Sequence, residues 1–598
     1  IAKITDTFAK TIVILNVGYP IDVTFAEKYA VAGLIYSGFG GMLAGPALLD
    51  ILSGAVNPSG KLPDTWAKDY FDIPSSKNFY DCVDKTRLTA DENIYVDTCY
   101  EEDIYVGYRY FTTFRKKAAY PFGYGLSYTE FCIRQENIRF DGEVLELDVY
   151  VKNVGEKAGK EVVQVYYEAP QGELGKPARE LIAFAKTKKL APGESQELTL
   201  EFKISDMASY DDSGVTGHKS CYVLEAGEYN IYVGNSVKNL TKINTYNEEE
   251  LVVVEELQEA MAPTEAINIM KPGKKNADGT YEVTYVPVST QTVDMAKRIS
   301  DNLPMDIPIT GDMGITLQDV RDGKATLEKF VAQLSIEEMA IIIRGEGMSN
   351  PRVTRGTASA FGGMSDSLFN YGIPAACCAD GPSGLRMEGK ATQLPIGTAL
   401  SATWNTELVR ELYTMEGQEL YRNQVDTLLG PGVNIRRNPL NGRNFEYFSE
   451  DPYLTGKLAT GYIEGVQSLG IGTSLKHYAV NSQETRRMTS NSQIDERTLR
   501  EIYLSAFEEV VKKAKPTSVM ASYNRINGEF GARNKYLLTD VLRKEWKYQG
   551  GVVSDWGAAN DIVSCMKNGL TLEMPDPKGF HTDVLKEAYK DGRITDQE

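Results

Sequence analysis

Five short apolar runs in the second half of the chain each end in polar, mostly charged residues and then give way to a helical pattern. They are YGIPAACCAD (371–380), VDTLLGPGVNI (425–435), GTSLKHYAVN (472–481), TSVMASYNRING (517–528) and GGVVSDWGA (550–558). Apolar runs of this length, bounded by Gly or Pro, suit strands buried on both faces, and strands that alternate with helices build a parallel sheet. Because the polar residues always fall at the same end, the pattern predicts a TIM-like (β/α)8 barrel over residues 316–598. In that fold the C-terminal strand ends surround one mouth.

Upstream the texture changes twice. Residues 126–250 carry alternating segments, LELDVYVKNVG, EVVQVYYEAP, QELTLEFKI and GEYNIYVGNS, with turn residues between them. That predicts an antiparallel sandwich of immunoglobulin or fibronectin type. Residues 1–125 open with KTIVILNVGYPI and VAGLIYSGF around a helical stretch near DVTFAEKYA, followed by GGMLAGPALLDILSG, a helix ending at Gly54. The order strand, helix, strand, helix is that of part of an α/β layer. Residues 251–315 show no sustained period and read as a linker with local structure. A chain of 598 residues exceeds what one core organises, so the fold class is multidomain α/β plus all-β.

Composition removes several functions. The 64 Lys and Arg against 83 Asp and Glu leave a net charge of -19, which repels phosphate backbones and anionic lipid, so neither nucleic acid nor a membrane is an expected partner. No apolar run nears the roughly 18 residues of a membrane span. The Cys residues, at 82, 99, 132, 221, 377, 378 and 565, show neither CxxC spacing nor a paired framework. Reduced thiols and a cytoplasmic location are the expectation. The His residues, His218, His477 and His581, are not at ligand spacing, which argues against a metal centre. The sequence lacks GxxxxGK[ST], GxGxxG and GxSxG, which argues against a phosphate loop, a dinucleotide site and a Ser nucleophile.

The strand ends supply Asp380 and Arg386 (CADGPSGLR), Arg443 and Glu446 (LNGRNFEYFSEDP), and Lys476, His477 and Arg487 (SLKHYAVNSQETRR). Tyr523 (ASYNRING) and Asp555 with Trp556 complete the set. Singly each has an ordinary use: a turn, an ion pair, packing, or, for Asp555, capping a following helix. Together, several donors and few carboxylates suit a neutral polyhydroxylated ligand, and would also suit a phosphorylated one. The chemistry left standing is attack by one carboxylate on an anomeric carbon while a second carboxyl protonates the leaving oxygen. Asp555 fits the attacking role, with Trp556 beside it to face a sugar ring.

DGPSGLR, GRNFEYFSEDP, KHYAVNSQETRR, SYNRING and VVSDWGA resemble, in this order, the barrel motifs of glycoside hydrolase family 3, chiefly its β-glucosidases. VILNVGYPIDV, NPSGKLPDTWA and YPFGYGLSYTEF are similar to that family's α/β sandwich and the approach to its fibronectin type III domain. The resemblance implies a partial α/β sandwich (1–125), a fibronectin type III-like β-sandwich (126–250), a linker (251–315) and a catalytic barrel (316–598). Since the sandwich motifs come first, it is a circularly permuted subgroup that the chain resembles. The resemblance further implies that Asp555 is the nucleophile. Asp380, Arg386, Arg443, Lys476, His477, Arg487, Tyr523 and Trp556 would line the substrate site, while Glu446 and Glu573 would support the arginines and loops. The family's acid/base, a Glu in an SGEGxDR-like loop, has no counterpart here, so the chain is expected to begin inside the sandwich, with the acid/base outside this sequence. The nearest look-alike, Glu346 in RGEGMSNP, reads as a turn residue in a loop near the barrel mouth, and Glu101 and Glu102 read as acids without that role. KHYAVNSQ, where the N-acetylhexosaminidase branch carries KHFPGHG, argues against that branch.

The implied activity is that of a retaining exo-acting β-glucosidase. It would hydrolyse terminal non-reducing β-D-glucosyl residues of small oligosaccharides or aryl glucosides, without a cofactor. The alternatives are a β-xylosidase or dual-specificity glycosidase and, in another class, a non-catalytic sugar-binding protein. A homo-oligomer is compatible with each. Cationic neighbours lower a carboxylate's pKa, so Asp555 is expected to stay ionised.

Overall fold

The computed structural model describes residues 1–79, 97–301, 303–389, 391–576 and 578–598. Cys82 lies outside them, and Cys132, Cys221, Cys377, Cys378 and Cys565 are free thiols. Among the described residues no helix is long and apolar enough to cross a membrane.

The first segment pairs β1 (Ile12–Leu15) with β2 (Gly33–Tyr36) in parallel, with Ile12 opposite Gly33. Helix α1 (Ala44–Ser53) follows and stops at Gly54, whose φ of 75° is the left-handed C-cap that a residue without Cβ adopts freely.

The next segment is an all-β sandwich of two antiparallel sheets. The strands are β3 (Phe131–Phe140), β4 (Val144–Asn153), β5 (Val162–Glu168), β6 (Glu180–Lys186), β7 (Ser195–Lys203), β8 (Gly227–Ser236) and β9 (Asn239–Glu248). One sheet has the order β7-β4-β3, the other β9-β8-β5-β6. The alternation in the sequence explains the packing. Leu145, Leu147, Val149 and Val151 of β4 meet Leu198, Leu200 and Phe202 of β7 and Tyr229, Ile231 and Val233 of β8 in one core. Every second residue points inward, and each such aliphatic side chain, fully buried, contributes about 1.5–3 kcal/mol. The stretch after the sandwich is not featureless, for it holds an antiparallel hairpin, β10 (Asn268–Lys275) with β11 (Tyr281–Pro287).

The last segment is a mixed α/β unit built on a half-barrel sheet of six strands in sequence order. These are β12 (Ser359–Gly362), β13 (Ala375–Asp380), β14 (Thr427–Leu429), β15 (Gly472–Tyr478), β16 (Ser518–Ala521) and β17 (Gly551–Ser554). From β13 to β17 all neighbours are parallel. Two isolated parallel bridges, Val553 with Leu572 and Arg344 with Glu573, extend the sheet beyond β17. The first pair departs from an all-parallel layout: β12 runs antiparallel to β13. Glycines allow the return. Gly362 has φ 87°, and a Cβ on Gly363 would lie 2.1 Å from the Ile373 carbonyl oxygen, so only glycine lets the two backbones approach this closely.

Helices α2 (Thr406–Arg422), α3 (Pro452–Gln467) and α4 (Ser505–Ala514) alternate with these strands. Asn405 caps α2 by accepting from Leu408 N at 3.0 Å, and Asp451 caps α3 by accepting from Leu454 N at 2.7 Å.

The three segments are tied together at buried polar points. Glu450 accepts from the backbone N–H groups of Thr65, at 2.8 Å, and Tyr108, at 2.7 Å. Lys186 of β6 donates to the carbonyls of Ser59, at 2.9 Å, and Thr403, at 2.7 Å, touching all three segments at once.

Candidate active site

Asp380, Arg386, Arg443, Lys476, His477, Arg487, Tyr523, Asp555 and Trp556 line one cavity of about 950 Å³. The sheet explains why. Asp380 is the last residue of β13, Lys476 and His477 stand near the end of β15, and Asp555 directly follows β17. Tyr523 comes two residues after β16, and Arg443 and Arg487 lie on the loops after β14 and β15. Parallel strands put these positions at one edge.

Asp555 is 7% exposed. Its Oδ1 accepts from Trp556 N at 2.8 Å, while its buried Oδ2 has no hydrogen-bond partner among the described residues. The next helix, Ile562–Lys567, is capped by Asp561 through Ser564 N at 3.3 Å, so Asp555 is not the cap that sequence alone allowed. The net shift in its pKa is not the one its cationic neighbours alone would give. Burial pushes the Asp555 carboxyl above its ordinary value, although the Trp556 N–H, the Lys476 and Arg443 charges and the Tyr523 hydroxyl all oppose the shift. The cations were legible in the sequence; the loss of solvent around the carboxylate was not.

Asp380 behaves in the opposite way. Burial also pushes it up, but Lys476 Nζ at 3.2 Å and Arg386 Nη1 at 2.9 Å more than offset this and hold it below the usual carboxylate value. It is therefore a fixed anion beside a fixed ammonium, an acceptor and donor pair for adjacent hydroxyls.

The two arginines are each held by a glutamate. Arg443 makes a two-point pair with Glu446, Nε to Oε2 at 2.9 Å and Nη2 to Oε1 at 2.7 Å. Arg487 Nη1 lies 3.0 Å from Glu484 Oε2, and its guanidinium covers the Tyr523 ring at 4.5 Å. The Tyr523 hydroxyl donates to the Trp556 carbonyl at 2.9 Å. His477 is locked by Asn434, whose Oδ1 accepts from His477 N and whose Nδ2 donates to His477 O, both at 2.9 Å. Burial, with the Arg443, Lys476 and Arg487 charges, pushes its pKa well down, so the imidazole is neutral.

The sequence reading missed Asn434, Glu484, Phe39 and Phe445. Glu484 had a signal, its position three residues before Arg487, and Phe445 lies inside a quoted motif. Phe39 had none, since it reaches the cavity from the first segment. The carboxyl-bearing residues of the lining are Asp380, Glu446 and Asp555. Glu346, Glu101, Glu102 and Glu573 are not part of it. Glu346 pairs with Arg344 at 2.7 Å, and Glu102 is buried against Arg437 at 3.0 Å. Glu573, beside His581, is pushed up to about 7 by burial and Asp576 against the opposing pull of His581. The arrangement can hold a ring of hydroxyls with fixed donors and acceptors and present one unpartnered carboxylate oxygen to it.

Comparison with known proteins agrees with this geometry. Residues 317–597 match the model of the glycosyl hydrolase family 3 N terminal domain, residues 1–128 the family 3 C-terminal domain, and residues 161–237 a fibronectin type III-like domain. The C-terminal domain thus precedes the N-terminal one. The chain is 47% identical to a β-glucosidase of Ruminococcus albus over 99% of its own length and 62% of that protein's. It is 39% identical to β-glucosidase A of Butyrivibrio fibrisolvens, covering 99% of itself and 75% of the relative. A crystal structure of a β-glucosidase from Paenibacillus barengoltzii superposes with a TM-score of 0.94 at 48% identity, over 100% of this chain and 66% of that one. The chain therefore spans about two thirds of the proteins it is most fully aligned with.

Proposed function

The chain belongs to glycoside hydrolase family 3 in permuted domain order, and from that premise we propose that it is a retaining, exo-acting β-glucosidase. The observation that carries the reading is the buried, unpartnered Oδ2 of Asp555 in a cavity lined by fixed hydroxyl-binding groups. The β-glucosidase names of the full-length relatives support the substrate class. We read the six strands and two bridges as a TIM-like barrel whose C-terminal mouth is this site.

In this mechanism Asp555 Oδ2 attacks the anomeric carbon of a terminal β-glucosyl residue, and the bond to the leaving oxygen breaks as that oxygen takes up a proton. Water then attacks the same carbon, releases Asp555 and gives glucose with its configuration retained. Asp380 and Lys476 hold sugar hydroxyls, and Arg443, Arg487 and neutral His477 strengthen their hold as charge develops in the transition state. Asp380 and Glu446 are fixed in ion pairs, so the proton donor is proposed to be a carboxyl other than these two. Proton NMR of the first product formed from an aryl β-glucoside tests the reading. Initial β-glucose supports it, while initial α-glucose, or no turnover with intact sugar binding, opposes it. Faster turnover of an aryl β-xyloside would replace glucose with xylose in the assignment.

A further inference from the structure

Asp380 ends β13 and Arg386 follows on the loop after it, yet the Arg386 guanidinium that pairs with Asp380 is largely exposed. Their geometry is set by what holds the loop. Helix α2 supplies three polar side chains, Tyr413, Glu416 and Glu419, each three residues from the next and so neighbours on the helix surface. All three meet the loop. The Tyr413 hydroxyl donates to Pro382 O at 2.7 Å. Glu416 is 3% exposed, and burial pushes its carboxyl well above the usual value although the Gly384 N–H pulls it down, so it is neutral. Glu419 accepts from Thr392 N through Oε1 at 3.0 Å and Oε2 at 3.2 Å, and its Oε1 accepts from the Thr392 hydroxyl at 3.2 Å.

The loop passes this hold on to the ion pair. Leu394 N donates to Ser383 O at 3.0 Å and Arg386 N to Asp380 O at 2.8 Å, so its limbs are bonded to each other. They approach closely because Gly384 has no side chain: a Cβ there would lie 2.3 Å from the Thr392 carbonyl oxygen. Thr392 is thus packed two residues from Arg386, and it lines the cavity itself. Glu419 also stands in the last turn of α2, where the helix dipole disfavours an anion. Its position costs the helix and serves the loop.

We propose that Glu419 is a positioning residue for the sugar site: by gripping Thr392 from α2 it fixes the loop after β13 and, through the Thr392–Gly384 contact, the placing of Arg386 against Asp380. The proposal rests on the reading of this cavity as the glucosyl site.

Calorimetric titration of glucose, with kcat on p-nitrophenyl β-D-glucopyranoside measured beside it, tests the assignment. Glu419→Ala is expected to weaken glucose binding about tenfold while kcat stays within about threefold. Glu419→Gln, which keeps an acceptor for Thr392 N–H, restores binding to within about threefold of wild type. In an Arg386→Ala background, Glu419→Ala weakens binding by less than about twofold, because the group it acts through is gone. Should the alanine variant fail to fold, Glu419→Asp, which withdraws the carboxylate by one methylene, carries the test and is expected to weaken binding several-fold. A tenfold loss in both backgrounds, a Gln variant no better than Ala, a fall in kcat as large as the fall in affinity, or unchanged binding in Glu419→Ala or Glu419→Asp would overturn the assignment. Failure of the glucosidase reading shows itself separately, as no hydrolysis by the wild-type chain with the pattern of glucose affinities intact.

Discussion

His477 Nε2 lies 3.8 Å from Asp555 Oδ2, beyond hydrogen-bonding range, and the imidazole is neutral, so the histidine leaves the carboxylate oxygen free instead of neutralising it. Asn434 fixes the His477 backbone by its paired bonds, and the ring is held by Asn434 Oδ1 and the Tyr447 hydroxyl, each 3.3 Å from Nδ1.

Replacing the attacking group should abolish covalent catalysis while sparing recognition. Asp555→Asn is expected to lower kcat by at least about a thousandfold on an aryl glucoside, with glucose binding within a few-fold of wild type. Steady-state rates together with calorimetric titration of glucose check both parts.

The pH dependence follows from the raised pKa of Asp555. Attack requires the ionised form, so the acid limb of kcat/KM should lie above the ordinary carboxylate value of 3.8. Lys476 is one of the charges that hold the shift in check, so Lys476→Met should move that limb to still higher pH. A limb that stays put or moves down in the variant would contradict the assignment.

Glu484 touches Arg487, and Arg487 covers the Tyr523 ring beside the proposed nucleophile. Glu484→Gln should loosen the guanidinium and raise KM for an aryl glucoside about tenfold, equivalent to about 1.4 kcal/mol, with a smaller change in kcat. Arg487→Lys should do the same, because an ammonium cannot both pair and stack in that geometry. Kinetics of the two variants side by side check the linkage.

The junction between segments carries its own pH signature. Burial and the neighbouring Asp64 push Glu450 up to about 8, although the Thr65 and Tyr108 N–H groups pull it down. The folded chain then binds more protons than the unfolded one between the two pKa values. The contribution of Glu450 is complete below its unfolded pKa and is lost as pH rises through about 8. Thermal unfolding should show this decline in the wild-type chain and a flatter profile in Glu450→Gln.

Much of this architecture was legible because it follows from repetition. Leu145, Leu147, Val149 and Val151 announce a sheet face by their spacing alone. Asp380, Lys476, Tyr523 and Asp555 announce a mouth, because each ends a similar apolar run. What was hidden depends on contacts distant in sequence. The Phe39 loop is held at the cavity by bonds from Ile396 N to Phe39 O and from Met42 N to Gln393 O, partners more than three hundred residues apart. The reversal of β12 rests on the Gly362–Gly363 turn, which reads only as punctuation. The rise in the Asp555 pKa depends on burial, which neighbouring charges in the sequence do not reveal.

The most direct test of the account is to trap the glycosyl-enzyme with 2,4-dinitrophenyl 2-deoxy-2-fluoro-β-D-glucopyranoside. Its leaving group needs little protonation and its fluorine slows turnover. Mass spectrometry of the intact chain and its peptides should show one added fluoroglucosyl group, located on Asp555. A label on any other residue, or an unlabelled chain that still binds glucose, would contradict the assignment of Asp555 as the nucleophile.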